Sequence, residues 1–147
     1  MKNRLPPTYF VFALMLTVLL HFLLPIKQIL PFPWSLLGLF PLVVGVILNL
    51  WADRSFKKHD TTVKPFLEST ALVTTGVFRL TRNPMYLGMV TMILGVAILL
   101  GSAGPFLVVP ILGIIFQRIF INPEERMLAA TFGERFRQYR RRVRRWI

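Results

Sequence analysis

Apolar residues fall into four long runs, with polar residues gathered between them. The runs cover about residues 8–24, 34–51, 85–100 and 105–121. Each is about 16 to 18 residues, or roughly 25 Å as a helix, the short end of what crosses a bilayer. None shows the continuous charged face that a helix in a soluble bundle presents to water. The pattern predicts an all-α integral membrane helical bundle with four transmembrane helices. A fifth element follows. Leu128, Phe132, Phe136, Tyr139, Val143 and Trp146 recur at spacings of four, four, three, four and three. That spacing draws one apolar stripe along a C-terminal amphipathic helix over residues 123–146. Arginines fill most of the other positions from 135 to 145. A basic face beside an aromatic stripe predicts an interfacial helix on the cytoplasmic side. Its role is either an anchor or a lid over a site, and Gly133 marks a bend.

The connections refine this outline. Lys2 and Arg4 precede the first run as in a signal peptide, but no small-x-small cleavage site follows, so the run is read as a retained span. Gly101-Ser102-Ala103-Gly104-Pro105 makes a tight hairpin of spans three and four, with Gly88 and Gly95 expected to approach Gly113 closely. Residues 53–82 form the one long polar stretch between spans, and Thr74-Thr75-Gly76 within it reads as a turn. Asn83-Pro84 supplies a helix cap and a first helical residue for span three. With no repeats or low-complexity tracts, residues 1–147 read as one domain.

Composition agrees. Hydrophobic residues make up 54% of the chain and mean hydropathy is +0.60, above a typical soluble domain. No cysteine is present, which excludes a disulfide framework and a cysteine metal site. His21 and His59 are too few and too separated to suggest any other metal site.

The net charge of +12 is unevenly placed. Lys2 and Arg4 precede span one. Arg54, Lys57, Lys58, Lys64, Arg79 and Arg82 lie between spans two and three. Arg126 and the arginines from 135 to 145 follow span four. The other two connections hold only Lys27. An even number of spans puts every basic segment on one side, which the positive-inside rule makes the cytoplasm. The expected location is a membrane of the bacterial inner type, with both termini and the site cytoplasmic. Basic segments beside a bilayer attract anionic lipids at about 1 kcal/mol per residue. Anionic membrane lipids are therefore expected partners and nucleic acid is not. Oligomeric state is not legible.

Candidate chemistry concentrates at two helix ends. Arg82-Asn83-Pro84-Met85-Tyr86-Leu87-Gly88 opens span three, and Pro123-Glu124-Glu125 follows span four. Two polar clusters so placed can close over one ligand. Glu124 and Glu125 either serve the helix dipole or meet a cationic ligand, an attraction of roughly 4 kcal/mol at about 4 Å and an effective dielectric near 20. Glu125 is also a candidate general base. Arg82 either snorkels to the headgroups or holds an anionic group of a lipid-like substrate. Arg118, beside Gln117 near the end of span four, either snorkels or marks a functional site. Arg82, Arg118 and Glu125 are thus the candidate catalytic residues. Asn49 is expected to bond between helices, Asp53 lies near it, and His21 reads as structural. No Rossmann fingerprint, P-loop or Ser/His/Asp set is present.

Over residues 73–146 the chain resembles the isoprenylcysteine carboxyl methyltransferase and phospholipid methyltransferase superfamily. That family carries Val-Thr-x-Gly-x-Tyr, then Arg-His-Pro-x-Tyr-x-Gly. Here these read Val73-Thr74-Thr75-Gly76-Val77-Phe78 and Arg82-Asn83-Pro84-Met85-Tyr86-Leu87-Gly88. The family's later Glu-Glu, Leu, Phe-Gly and Tyr correspond to Glu124-Glu125, Leu128, Phe132-Gly133 and Tyr139. The resemblance implies S-adenosylmethionine as methyl donor. It places the cofactor against Thr70, Ala71, Leu72, Val73, Phe78, Asn83, Pro84, Met85, Tyr86 and Glu124. Asn83 stands where the family has histidine, and can hydrogen-bond but not carry a proton. Phe78 replaces a tyrosine. The substrate-binding arginine of the isoprenylcysteine enzymes would fall near Phe120, with Arg118 half a turn away as a substitute. The implied activity is methyl transfer to a lipophilic acceptor resembling an isoprenylcysteine carboxylate. A phospholipid amine or small thiol is the alternative acceptor, and a non-catalytic membrane protein retaining the fold is the alternative from another class.

Overall fold

A computed structural model describes residues 5–24, 27–58 and 71–147, and every described element is helical. Helix α1 (Pro6–Leu23) starts on prolines, which need no partner for the missing N–H. A 3₁₀ turn, Trp34–Gly38, leads into α2 (Leu39–Lys58). Helix α3 (Pro84–Leu100) starts on Pro84 and stops at Gly101. Gly101 adopts the left-handed conformation (φ 72°) that glycine tolerates, and its N–H closes on the Ala97 carbonyl. Beyond it come α4 (Ala103–Phe106), α5 (Val108–Phe116), a π-helical turn (Gln117–Ile121) and α6 (Asn122–Arg142).

These last elements refine the expected layout. They run end to end as one stretch, Ala103–Arg142, so the C-terminal helix continues span four instead of starting afresh. Among the described residues, three helical stretches contain a run long and apolar enough to cross a membrane: Pro6–Leu23, Trp34–Lys58 and Ala103–Arg142, the apolar part of the last ending at Ile121. The expected third span, α3, is apolar but shorter. It is also the most enclosed, with Gly88, Met89, Ile93, Gly95 and Ala97 buried. Around it α1 and α2 turn large apolar side chains outward, with Phe12 66%, Phe22 72% and Phe40 76% exposed. Apolar surface of that kind, on helices whose backbone bonds are satisfied internally, suits lipid. The protein is an all-α membrane bundle.

Glycines set the closest helix contact, but not where the hairpin pattern placed it. Gly88 and Gly95 of α3 face Gly45 of α2 and Gly38 before it. A Cβ on Gly45 would lie 2.5 Å from the Gly88 carbonyl oxygen, and one on Gly95 would lie 2.6 Å from the Leu42 nitrogen. Gly113 has nothing within 4 Å of such a Cβ. The α3–α5 contact is made by Ile93, Leu112 and Phe116 in the main core instead. Asn49 is corrected too. Its Nδ2 donates to the Gly45 carbonyl of its own helix at 2.9 Å, and the amide lies over Gly88 where a side chain would be.

The C-terminal stripe is used within the protein. Gly133 sits at φ 51°, ψ −120° inside α6, so the expected bend is present. Phe136 and Tyr139 are buried against Ala52, Val73, Val77 and Phe78, with Leu128, Phe132 and Val143 packed around them. Trp146 packs on the main core. The helix ends at Arg142, short of residue 146, because Val143 turns extended and the peptides beyond it bond elsewhere.

The polar stretch is less of a loop than expected, since α2 continues through Asp53 to Lys58, with an Asp53–Lys57 ion pair at 2.6 Å. Thr70 and His59 lie outside the described residues. Thr74-Thr75-Gly76 does turn, with Gly76 at φ 62°, and a 3₁₀ turn (Gly76–Arg79) follows. His21 keeps a structural place, its Nδ1 2.7 Å from the Ser102 hydroxyl.

Gly95→Ala is expected to lower the unfolding temperature in detergent, since overpacking costs about 1–3 kcal/mol. Gly113→Ala should leave it unchanged or slightly higher, because alanine in a helix is favoured by roughly 0.5–1 kcal/mol. Equal effects in thermal unfolding would contradict the α2–α3 glycine contact.

Candidate functional site

Tyr86 lies in the first turn of α3 and Glu124 in the first turn of α6. Their meeting defines the site. The Tyr86 hydroxyl donates to Glu124 Oε1 at 2.6 Å. The phenol ring is fixed by Phe116 and Phe120, with centroids 5.2 and 6.0 Å away. Such aromatic pairs hold an orientation as well as burying area.

A cavity of about 250 Å³ opens beside this pair. Arg82, Asn83, Pro84 and Met85 form one wall with Tyr86 and Glu124. Phe78 and Phe56 close another, and Leu5-Pro6-Pro7 at the start of α1 faces them. Among the described residues no lysine or arginine pairs with Glu124. Burial pushes its carboxyl up to about 7, and the hydrogen bond from Tyr86 opposes that rise only in part. Near neutrality the cavity therefore holds a carboxylate ready to ionise for a cation.

The neighbouring glutamate is used differently. Glu125 Oε1 pairs with Arg82 Nη2 at 2.9 Å, and its Oε2 pairs with Arg145 Nη2 at 2.6 Å. The Arg82 and Glu125 side chains are 8% and 9% exposed. Burial lowers the Arg82 pKa from its ordinary value, Glu125 opposes that, and Arg140 and Arg145 add to it. The guanidinium also donates to the Arg140 carbonyl at 3.2 Å, while its Nε has no partner.

The chain beyond α6 completes the frame. The Arg82 N–H donates to the Arg144 carbonyl at 3.0 Å. Thr81 Oγ1 and Asn83 Nδ2 both donate to the Arg145 carbonyl at 3.0 Å. Trp146 Nε1 donates to Gln117 Oε1 in the π turn at 3.1 Å. Farther back, the Tyr139 hydroxyl donates to the Phe78 carbonyl at 2.7 Å. Asn83 precedes α3 as expected, but its side chain does not cap the helix. It is committed to the C-terminal strap.

Of the residues singled out from sequence, Arg82, Phe78, Asn83, Pro84, Met85, Tyr86 and Glu124 share this one cavity. Ala71, Leu72 and Val73 do not line it. Leu72 borders a separate groove, and Val73 is buried against Phe78 in the second cluster. Glu125 lies behind the wall in its ion pairs, and Arg118 is exposed on the π turn away from the cavity. Residues missed from sequence are Leu5, Pro6, Pro7, Phe56 and Met89 in the walls, and Thr81, which bonds to the strap. Nothing local marks them, since each acts through a partner distant in the chain. Among the described residues no group of three His, Cys, Asp or Glu side chains could hold a metal ion.

The sequence profile of the phospholipid methyltransferase family matches residues 34–135, over two-thirds of the chain. No curated protein and no solved structure shows a significant match. The matched span contains the cavity's Phe56, Phe78, Arg82–Tyr86 wall and Glu124, and stops before the C-terminal strap.

Glu125→Gln is expected to destabilise the protein by roughly 3–5 kcal/mol, because it strands Arg82 as a buried unpaired charge. Hydrogen exchange at the Arg82 amide should quicken in the same variant. Glu134→Gln breaks an exposed pair with Arg137 and should cost less than about 1 kcal/mol. Similar thermal unfolding shifts for the two variants would contradict this assignment.

Proposed function

The chain belongs to the phospholipid methyltransferase family, and from that premise we propose that it transfers a methyl group from S-adenosylmethionine to a lipophilic acceptor at this cavity. The observation that carries the proposal is Glu124, a partly buried carboxylate in the cavity wall that accepts from a tyrosine hydroxyl and, among the described residues, pairs with no lysine or arginine. That donor set suits a ligand bearing positive charge. Held against Glu124, Tyr86 and the Asn83–Met85 wall, the cofactor would supply a methyl group already activated on a sulfonium.

The protein's own residues supply place and environment. Glu124, once ionised, offers the counter-charge that fixes a cationic group. Tyr86 keeps that carboxylate in one orientation. Phe56, Phe78 and Met89 make the rest of the cavity apolar, which excludes water and favours a lipid-like acceptor. Holding two reacting groups at about 3–3.5 Å in such a space provides much of the acceleration that methyl transfer needs. Glu125 is engaged on both oxygens by guanidiniums, so we assign it to holding Arg82 and Asn83 in place, not to proton transfer. Arg118 does not line the cavity, and Arg82, which does, is already paired with Glu125; both favour a phospholipid-type acceptor over an isoprenylcysteine carboxylate that needs a free arginine partner. The basic ends of the helices would face the cytoplasm and its anionic lipids.

The raised Glu124 pKa sets a pH dependence with a definite sign. The folded state prefers the neutral acid, so this group's contribution to stability is present below about 4.5 and lost as pH rises through about 7. A cationic ligand needs the carboxylate, so its affinity should rise across that window and level off above it. Calorimetric titration of S-adenosylmethionine in buffers of different ionisation enthalpy should show about one proton released per ligand at pH 6 and almost none at pH 8. Glu124→Gln should weaken binding by about 10-fold to 100-fold and abolish the proton release. No binding to folded protein at either pH would contradict the proposal. Binding without proton release would remove Glu124 as the cation's partner.

A further inference from the structure

On the far side of the 3₁₀ turn from the reaction cavity lies an open groove of about 510 Å³. Arg79 stands on one wall, from that turn. Arg135, Gln138 and Arg142 stand on the other, from α6. Their spacing of three, then four, residues places them on one helix face. Tyr139 lies between the walls, and its hydrogen bond to the Phe78 carbonyl ties the two together at 2.7 Å. Thr74 adds a hydroxyl at the rim.

What marks this groove is that exposed arginines from two elements line one concavity. The same region pairs Arg137 with Glu134, and Arg82 and Arg145 with Glu125. No acidic side chain among the described residues pairs with Arg79, Arg135 or Arg142. Three arginines thus line one concave space with no acidic partner among the described residues. Planar guanidinium forks match phosphate oxygens in geometry and charge. The groove shares no lining residue with the reaction cavity.

We propose that this groove binds the phosphate group of an anionic membrane phospholipid. Arg79 lies five residues before Pro84, where α3 enters the apolar layer, so the groove sits at the depth of lipid headgroups. It also lies on the side to which the chain's basic segments belong. A lipid held there would tie the turn carrying Phe78 to the C-terminal helix that covers it. Binding of this lipid requires no cofactor.

The test uses the full chain in nanodiscs of zwitterionic lipid, titrated with short-chain phosphatidic acid. Arg79, Arg135 and Arg142 are changed together to glutamine. A matched variant changes Arg126, Arg141 and Arg144 to glutamine, removing the same charge outside the groove. Saturable binding to the native chain is expected, weakened about 10-fold or more in the groove variant and less than about 2-fold in the matched one. Lysine at all three groove positions should restore most of the affinity, which separates lost charge from lost folding. Equal loss in both glutamine variants would overturn the proposal in favour of diffuse attraction. Competition by inorganic phosphate at concentrations equal to the lipid would overturn it in favour of a soluble ligand. Displacement by S-adenosylhomocysteine would overturn it by making the groove part of the cofactor site, where Leu72 was expected to act.

Discussion

Arg82, Glu125 and Arg145 form the interaction on which the rest of the site depends. They come from just before α3, the start of α6 and the strap after α6, and this ion pairing ties the three together at the cavity wall. Two cations on one largely buried anion is not a net source of great stability, because desolvation offsets much of the attraction. Its effect is specificity of arrangement. Removing the anion leaves charge stranded, so the arrangement is held against alternatives. With the triad in place, the Arg144 and Arg145 carbonyls meet Arg82, Thr81 and Asn83, and the wall of the cavity is set.

The same constraint separates two adjacent glutamates. Glu125 is given to arginines and held behind the wall. Glu124, one residue earlier, faces the cavity with a phenol as its partner. Burial then acts on the two in different company, and among the described residues no basic side chain pairs with Glu124. Tyr86, stacked among Phe116 and Phe120, cannot turn away from it without giving up aromatic contact. Helix geometry, apolar packing and this carboxylate are what support the proposed cationic, partly apolar ligand.

Much of this was legible in the sequence. Long apolar runs identify membrane helices because their cause is local, and residues Arg82–Tyr86 of one motif and Glu124 of the other do line one cavity. The turn at Gly76 and the kink at Gly133 were legible because positive φ singles out glycine. What was not legible depends on partners far along the chain. The glycines of α3 meet α2, not α5, since periodicity shows a small-residue face but not its occupant. Asn83 had every mark of a helix cap, yet a carbonyl sixty-two residues away takes its amide. The C-terminal stripe has the pattern of a helix lying on lipid, and only tertiary structure shows that Phe78 and Val77 occupy that face.

The most direct measurement is transfer of radiolabelled methyl from S-adenosylmethionine into extractable lipid by the purified protein in phospholipid nanodiscs, beside the Glu124→Gln protein. Label accumulating in the lipid fraction with the native chain, and falling to background with the variant, is the result that this structure predicts. Label at background with both proteins, each shown to be folded, would contradict it.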